Sequence, residues 1–176
     1  MSWSLVNSAL NGDNISGDEF GRTVTISGDG SVIAVSAPDA NGGKGEVTLY
    51  TNNSGSWDIY GQFEGSAGSD FGGSLSLSDD GSTVAIGSVG NDADYVTVVR
   101  HDGSSWQTIG NLSGSGNFGS SVSLSSDGST VAIGAKYNDG NGFNSGHVRI
   151  YRLNGDGLWV KIGDDIDGEA RYDFSG

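Results

Sequence analysis

The stretch FGRTVTISGDGSVIAVSAP (Phe20 to Pro38) returns as FGGSLSLSDDGSTVAIGSV (Phe71 to Val89) and as FGSSVSLSSDGSTVAIGAK (Phe118 to Lys136); a fourth copy opens at Phe174. A self-similar period of about 50 residues means an array of like supersecondary units, each burying its apolar face against the next. The units are β in character. Val24 and Ile26, Leu75 and Leu77, and Val122 and Leu124 alternate with Ser or Thr, the period of a strand with one apolar face. Asp29-Gly30, Asp80-Gly81 and Asp127-Gly128 follow, and Asp-Gly between two β runs predicts a tight hairpin.

The second strand of each unit sets β-branched residues beside small ones: Ala34 and Ser36, Ala85 and Gly87, Ala132 and Gly134. Small side chains suit a place where backbones crowd. The third strand is GEVTLYT (Gly45 to Thr51), YVTVVRH (Tyr95 to His101) or GHVRIYR (Gly146 to Arg152). The fourth begins at Trp57, Trp106 or Trp159 and passes through Tyr60-Gly61, Ile109-Gly110 or Ile162-Gly163. These rings are read as packing between sheets, since an indole buries a large area. Ser2 to Gly12, with Trp3 in the same phase, reads as an orphan fourth strand.

Four-stranded units in an all-β chain predict β-propeller blades: an orphan outer strand at 1–12, blades at 13–65, 66–114 and 115–168, and a further repeat opening at 169–176. Three blades fall short of the usual four to eight. The expectation is a partial propeller, continued by further blades of a longer chain or closed by homo-oligomerisation.

Phe-Gly on one strand, paired with a Gly-Ala-like step on the next, resembles the FG-GAP repeat, the blade of integrin α-subunit propellers. The residues that carry it are Phe20-Gly21 with Ser36-Ala37-Pro38, Phe71-Gly72 with Gly87-Ser88-Val89, and Phe118-Gly119 with Gly134-Ala135-Lys136. The resemblance implies propeller blades with Phe20, Phe71 and Phe118 as structural residues. Calcium-binding integrin blades carry an Asp-x-Asp-x-Asp-Gly-type loop between strands one and two. Here that loop is only SGDGS, SDDGS or SSDGS. One Asp in a tight hairpin cannot supply the six to eight oxygens calcium takes. Asp29, Asp80 and Asp127 are read as turn residues.

Charge and residue usage narrow the function. The net charge is −14, from 22 acids against 8 bases, which repels nucleic acid and anionic lipid. There is no cysteine, hence no disulfide or thiol chemistry. No signal peptide is visible and no apolar run could span a bilayer, so membrane insertion is not expected. Only two histidines occur, His101 and His147, with no Ser-His-Asp grouping, and no catalytic residue is assigned. In FG-GAP propellers the two-to-three and four-to-one loops share the ligand face, and here those loops are long and rich in Asp and Asn. The candidate binding residues are Asp39, Asn41, Asn91, Asp92, Asp94, Tyr137, Asn138, Asp139, Asn141, Phe143 and Asn144. No cofactor is expected; calcium is the one candidate, in NDGNG (Asn138 to Gly142) or DDIDGE (Asp164 to Glu169). The reading is a non-enzymatic binding and adhesion module for a glycan or protein, extracellular, on a cell surface or on a virion. The alternatives are a structural or assembly element, and a fragment of a propeller hydrolase or lyase.

Overall fold

A computed structural model describes residues 10–12, 16–90 and 94–176. The expected orphan strand with Trp3 falls almost wholly outside the described residues. The rest forms three antiparallel sheets in chain order. The first is β1 (Val24–Ile26), β2 (Val32–Ala37), β3 (Glu46–Asn53) and β4 (Ser56–Glu64). The second is β5 (Ser74–Leu77), β6 (Thr83–Ser88), β7 (Asp94–His101) and β8 (Trp106–Gly114). The third is β9 (Phe118–Leu124), β10 (Thr130–Ala135), β11 (His147–Leu153) and β12 (Trp159–Lys161), with β13 (Ile166–Asp167) also on β11. All strand pairings within the sheets are antiparallel, as the hairpin signals require. Among the described residues no helix is long and apolar enough to cross a membrane.

The Asp-Gly turns are built alike. Asp29 Oδ1 accepts from the Ser27 hydroxyl at 2.7 Å and the Ser31 N–H at 2.9 Å. Asp80 takes the same pair from Ser78 and Ser82, and Asp127 from Ser125 and Ser129. The Ser31 N–H, then the Ser27 hydroxyl, lower the Asp29 pKa to about 2. The Ser125 hydroxyl and the Ser129 N–H do the same for Asp127, also to about 2. These carboxylates are turn residues, as their spacing predicts.

Each sheet has two unlike faces. Leu75, Leu77, Val84 and Ile86 of the second sheet pack on Ala34, Val47 and Leu49 of the first. Val131 and Ile133 of the third pack on Ala85, Val96 and Val98 of the second, with Val122 and Leu124 at the edge. The first two strands turn large residues toward the preceding sheet and small ones toward the next. The small ones leave room for the following Phe-Gly step: a side chain at Gly87 would strike the Gly119 carbonyl.

The tryptophans staple the sheets. The Trp106 indole donates to the Tyr60 carbonyl at 3.0 Å, and Trp159 donates to that of Ile109 at 3.1 Å. Their rings lie where Cβ atoms on Gly61 and Gly110 would be, which is why those positions are glycine. Both seats fall beside a bulge, between Leu49 and Tyr50 in one sheet and Val98 and Val99 in the other.

The fourth repeat opens one residue later than its Phe suggests. Asp70 and Asn117, before each Phe-Gly, have left-handed φ of 47° and 61°, and Phe174 has 53°. Gly176 then crowds the His147 carbonyl as Gly119 crowds that of Tyr95. Ser175-Gly176 thus stand where Phe71-Gly72 and Phe118-Gly119 stand, and Phe174 is thrown outward.

Candidate functional site

The third sheet departs from its siblings at the loop end of β11. Thr48 faces Gln62 and Thr97 faces Asn111 across the two outer strands of the earlier sheets. In the third sheet Arg149 holds the corresponding place on β11. Between Gly163 and Ile166 lies one residue more than between Gly61 and Phe63. Ile166 still pairs with Val148, as Phe63 pairs with Val47, so the extra residue breaks the outer strand into β12 and β13. The break turns Asp165 onto Arg149, whose Nε and Nη2 donate to Asp165 Oδ2 at 2.9 and 2.8 Å. Lys161 Nζ pairs with the other oxygen, Oδ1. The Arg149 hydrogen bonds, followed by that from Lys161, hold the Asp165 carboxyl far below the usual carboxylate range.

His147 lies beneath this pair, 1% exposed. Its Nδ1 is 3.7 Å from Asp165 Oδ2 and 3.9 Å from Asp167 Oδ1, and its buried Nε2 has no hydrogen-bond partner. Burial, and next the Arg149 charge, push the imidazole pKa down, so His147 is neutral at pH 7. His147, Asp165 and Asp167 each bring one ligand atom within 4.8 Å of the others, a spacing a cation could use. Asp165 is already neutralised by Arg149 and Lys161, so an ion there would have to displace them.

The loop residues singled out from sequence lie around this cluster or away from it. Asn138 Oδ1 accepts from the Gly140 N–H and Asp139 Oδ1 from the Asn144 N–H. Asn141 donates to the Gly168 carbonyl at 2.9 Å, tying its loop to the segment after β13. Asn138 and Asp139 thus close their own turns, each with an oxygen of NDGNG turned to the backbone of the loop. Asp94 Oδ2 accepts from the Asn117 N–H. Asp39 is exposed, and Asn41 donates to Glu46. Asn91 and Asp92 lie outside the described residues. Tyr137 packs edge-on to Phe174, and Phe143, 51% exposed, lies against Tyr172. His101 ends β7 and lies tilted against Tyr60 and edge-on to Trp106, a structural place.

Sequence reasoning singled out DDIDGE (Asp164 to Glu169) as a calcium candidate but did not join Asp165 and Asp167 to His147. The signal was present: His147 stands where the sibling repeats have Glu46 and Tyr95, and DDID fills the ground held elsewhere by QFE and NLS. His147 meets residues 18 and 20 positions on only through the register of the outer strand.

The fold is that of β-propeller blades. Residues 111–151, from the end of β8 to β11, match the family model of the FG-GAP repeat. No curated protein sequence matches the chain. Among solved structures, a candidate 6-phosphogluconolactonase from Bacteroides fragilis superposes with TM-score 0.61 at 18% identity, over 86% of this chain and 40% of its own. A periplasmic gluconolactonase from Pseudomonas aeruginosa gives 0.59 at 16% identity, over 82% and 39%. TolB from Acinetobacter baumannii gives 0.50 at 16%, over 81% and 32%. The chain therefore spans at most two fifths of these relatives' length. The expectation of an adhesion module is corrected: the structures that share this architecture include proteins named as lactonases.

Proposed function

We propose that the chain supplies three blades of a propeller hydrolase that opens lactones or related esters, with its working groups on the third sheet. The observation that carries this reading is the polar cluster at the loop end of β11, where a neutral buried histidine, two carboxylates and two cations converge. The names of the lactonase relatives supply the substrate class. Asp167 is the general base: it is exposed and makes no ion pair with Arg or Lys among the described residues. It takes a proton from a water as that water attacks the lactone carbonyl carbon. The oxyanion that forms is stabilised by Arg149 and Lys161. The ring C–O bond then breaks, and the leaving oxygen recovers the proton from Asp167. His147 is a positioning residue that fixes β13 against β11. The test is hydrolysis of a panel of sugar lactones and esters, scored above spontaneous ring opening. Asp167→Asn and Arg149→Gln should each abolish turnover while the circular dichroism spectrum is kept. No turnover of any substrate by the assembled protein refutes the reading.

A second reading, a structural or assembly element, is favoured by the open faces at the two ends of the stack. Harmless substitutions in the β11–β13 cluster, with edge substitutions that disperse the assembly, would select it. An extracellular location belongs to both readings and is checked by fractionating the source cells.

A further inference from the structure

We propose that the two end faces of the stack bind each other, so that a second copy of this chain docks head to tail, its first sheet on the third sheet of the first copy. The internal junctions define what such a contact needs, and each end of the chain holds one half of it.

The first half is apolar. Leu75 and Leu77 are buried to 9% and 8% exposure by the first sheet. Their counterparts Val24 and Ile26 on β1 are each 58% exposed, on a face that no sheet among the described residues covers. Ile59 is also exposed there, at the rim of a groove lined by Phe20, Ala37 and Tyr50. At the far end the third sheet offers Val148 and Ile150 beside Ala132, the counterparts of Val96, Val98 and Ala85; Gly134 is covered by Gly176, which the Phe20-Gly21 step of a docking copy would displace. Ile166 stands exposed where Phe63 and Leu112 pack against the following sheet.

The second half is specific and polar. Trp106 and Trp159 sit on Gly61 and Gly110 and donate to the carbonyl one residue earlier. Gly163 is the counterpart position on the third sheet, held at a left-handed φ of 72° that Gly61 and Gly110 do not share, and it has nothing within 4 Å of where a Cβ would stand. Trp57 is the same staple on the first sheet, and its indole N–H has no hydrogen-bond partner among the described residues. The hairpin turns are also linked: the Gly28 N–H donates to the Asp79 carbonyl and the Asp79 N–H to that of Ser126, both at 2.9 Å. That chain stops at the Ser126 N–H, while at the other end the Gly28 carbonyl accepts no hydrogen bond among the described residues. Arg100 bonds Thr83 through Nε and reaches the Gly128 carbonyl of the next sheet through Nη2 at 2.8 Å. Arg152 repeats the first bond, to Thr130, and its other arm has no partner among the described residues.

Seat with staple, donor with acceptor, and small face with large face therefore match across the two ends. A head-to-tail contact of this sort closes as a ring or continues as a filament. Two copies would give six blades, within the usual range. The net charge of −14 on each copy opposes the contact, so association should strengthen as salt screens it.

The experiment is sedimentation velocity on the 176-residue chain over a range of concentrations, at low and physiological salt. The expected species is twice the 17.9 kDa chain mass or a longer head-to-tail series. Trp57→Ala removes the staple. Gly163→Asn fills the seat with a residue that tolerates the left-handed φ of 72° there. Each should weaken self-association roughly tenfold or more, the loss expected of a buried aromatic anchor. Arg152→Gln should weaken it less. Thermal melts of dilute variants matching the parent show that the chain still folds. Mixing Trp57→Ala with Gly163→Asn should restore a dimer with one intact junction, since each supplies what the other lacks. A monomer at every concentration, or an assembly indifferent to both substitutions, overturns the proposal.

Discussion

Trp106→Ala and Trp57→Ala make the same chemical change at the same place in the repeat, yet the structure assigns them different costs. Trp106 gives up a hydrogen bond to the Tyr60 carbonyl, worth about 1 kcal/mol. It also gives up edge-on contacts with Tyr60 and Phe63, at ring separations of 5.3 and 5.8 Å, together about 1 kcal/mol. A fully buried Trp→Ala change costs about 3–5 kcal/mol in all; Trp106 keeps part of its surface in water, so its expected cost is about 3 kcal/mol. Among the described residues Trp57 has no preceding sheet and no such bond, so in a dilute monomer it should cost under about 1 kcal/mol. Urea unfolding followed by circular dichroism separates the two, since removing a Trp changes the fluorescence signal itself. With a denaturant slope of about 2 kcal/mol per molar, Trp106→Ala should lower the midpoint by roughly 1.5 M. Equal midpoints for the two variants at low concentration would refute the claim that the indole acts across the junction and not within its own sheet. At high concentration Trp57→Ala should grow costlier, because its seat is then on another copy.

The seat can be tested from its other side. Gly110→Val pushes into the Trp159 ring, where even a Cβ would be 2.5 Å from Cδ1, and should cost about 1–3 kcal/mol in thermal or urea unfolding. The folded His147 takes its proton at lower pH than the unfolded one, so the unfolded chain binds more protons below about pH 6.5 and stability falls as pH drops through that window. His147→Tyr, the residue of the second repeat, should flatten that slope in melts taken between pH 5 and 7. Asp29 and Asp127 titrate lower in the folded than in the unfolded chain. Their contribution is present above the ordinary Asp value near 3.9 and is lost as pH falls toward 2. The double Asp→Asn variant should show a shallower acid limb in a circular dichroism titration.

Much of the fold is legible because the repeat writes each instruction three times. Alternation in VTI, LSL and VSL names the apolar face, Asp-Gly names the turn, and the Trp followed by Gly names a staple and its seat. The third strands expected from Gly45, Tyr95 and Gly146 form within a residue of those starts. What was not legible occurs once. The inserted residue between Gly163 and Ile166 shows only when DDID is aligned with QFE and NLS of the sibling repeats, yet it decides that Asp165 meets Arg149. Phe174 looks like a fourth Phe-Gly start because residue type was read without backbone conformation. The left-handed position before that step belongs to Asp70 and Asn117 in the siblings, and Phe174 takes it. The Asn and Asp residues of 138–144 looked like ligand donors from composition. Asn138 and Asp139 each give a side-chain oxygen to an N–H of the same loop, a competition that sequence spacing does not resolve.

Because every junction uses the same large-on-small faces and the same indole on the same glycine, a sheet does not distinguish its neighbour from any other member of the array. Deleting residues 66–114 would bring the Phe118 repeat directly after the first, with Trp159 over Gly61 and Val131 and Ile133 over Ala34. The stack would lose one junction's worth of stability and no complementarity. Chains of this design can therefore change length by whole units during descent without repacking a core, and the number of blades becomes a quantity that selection can adjust separately from the architecture of each blade.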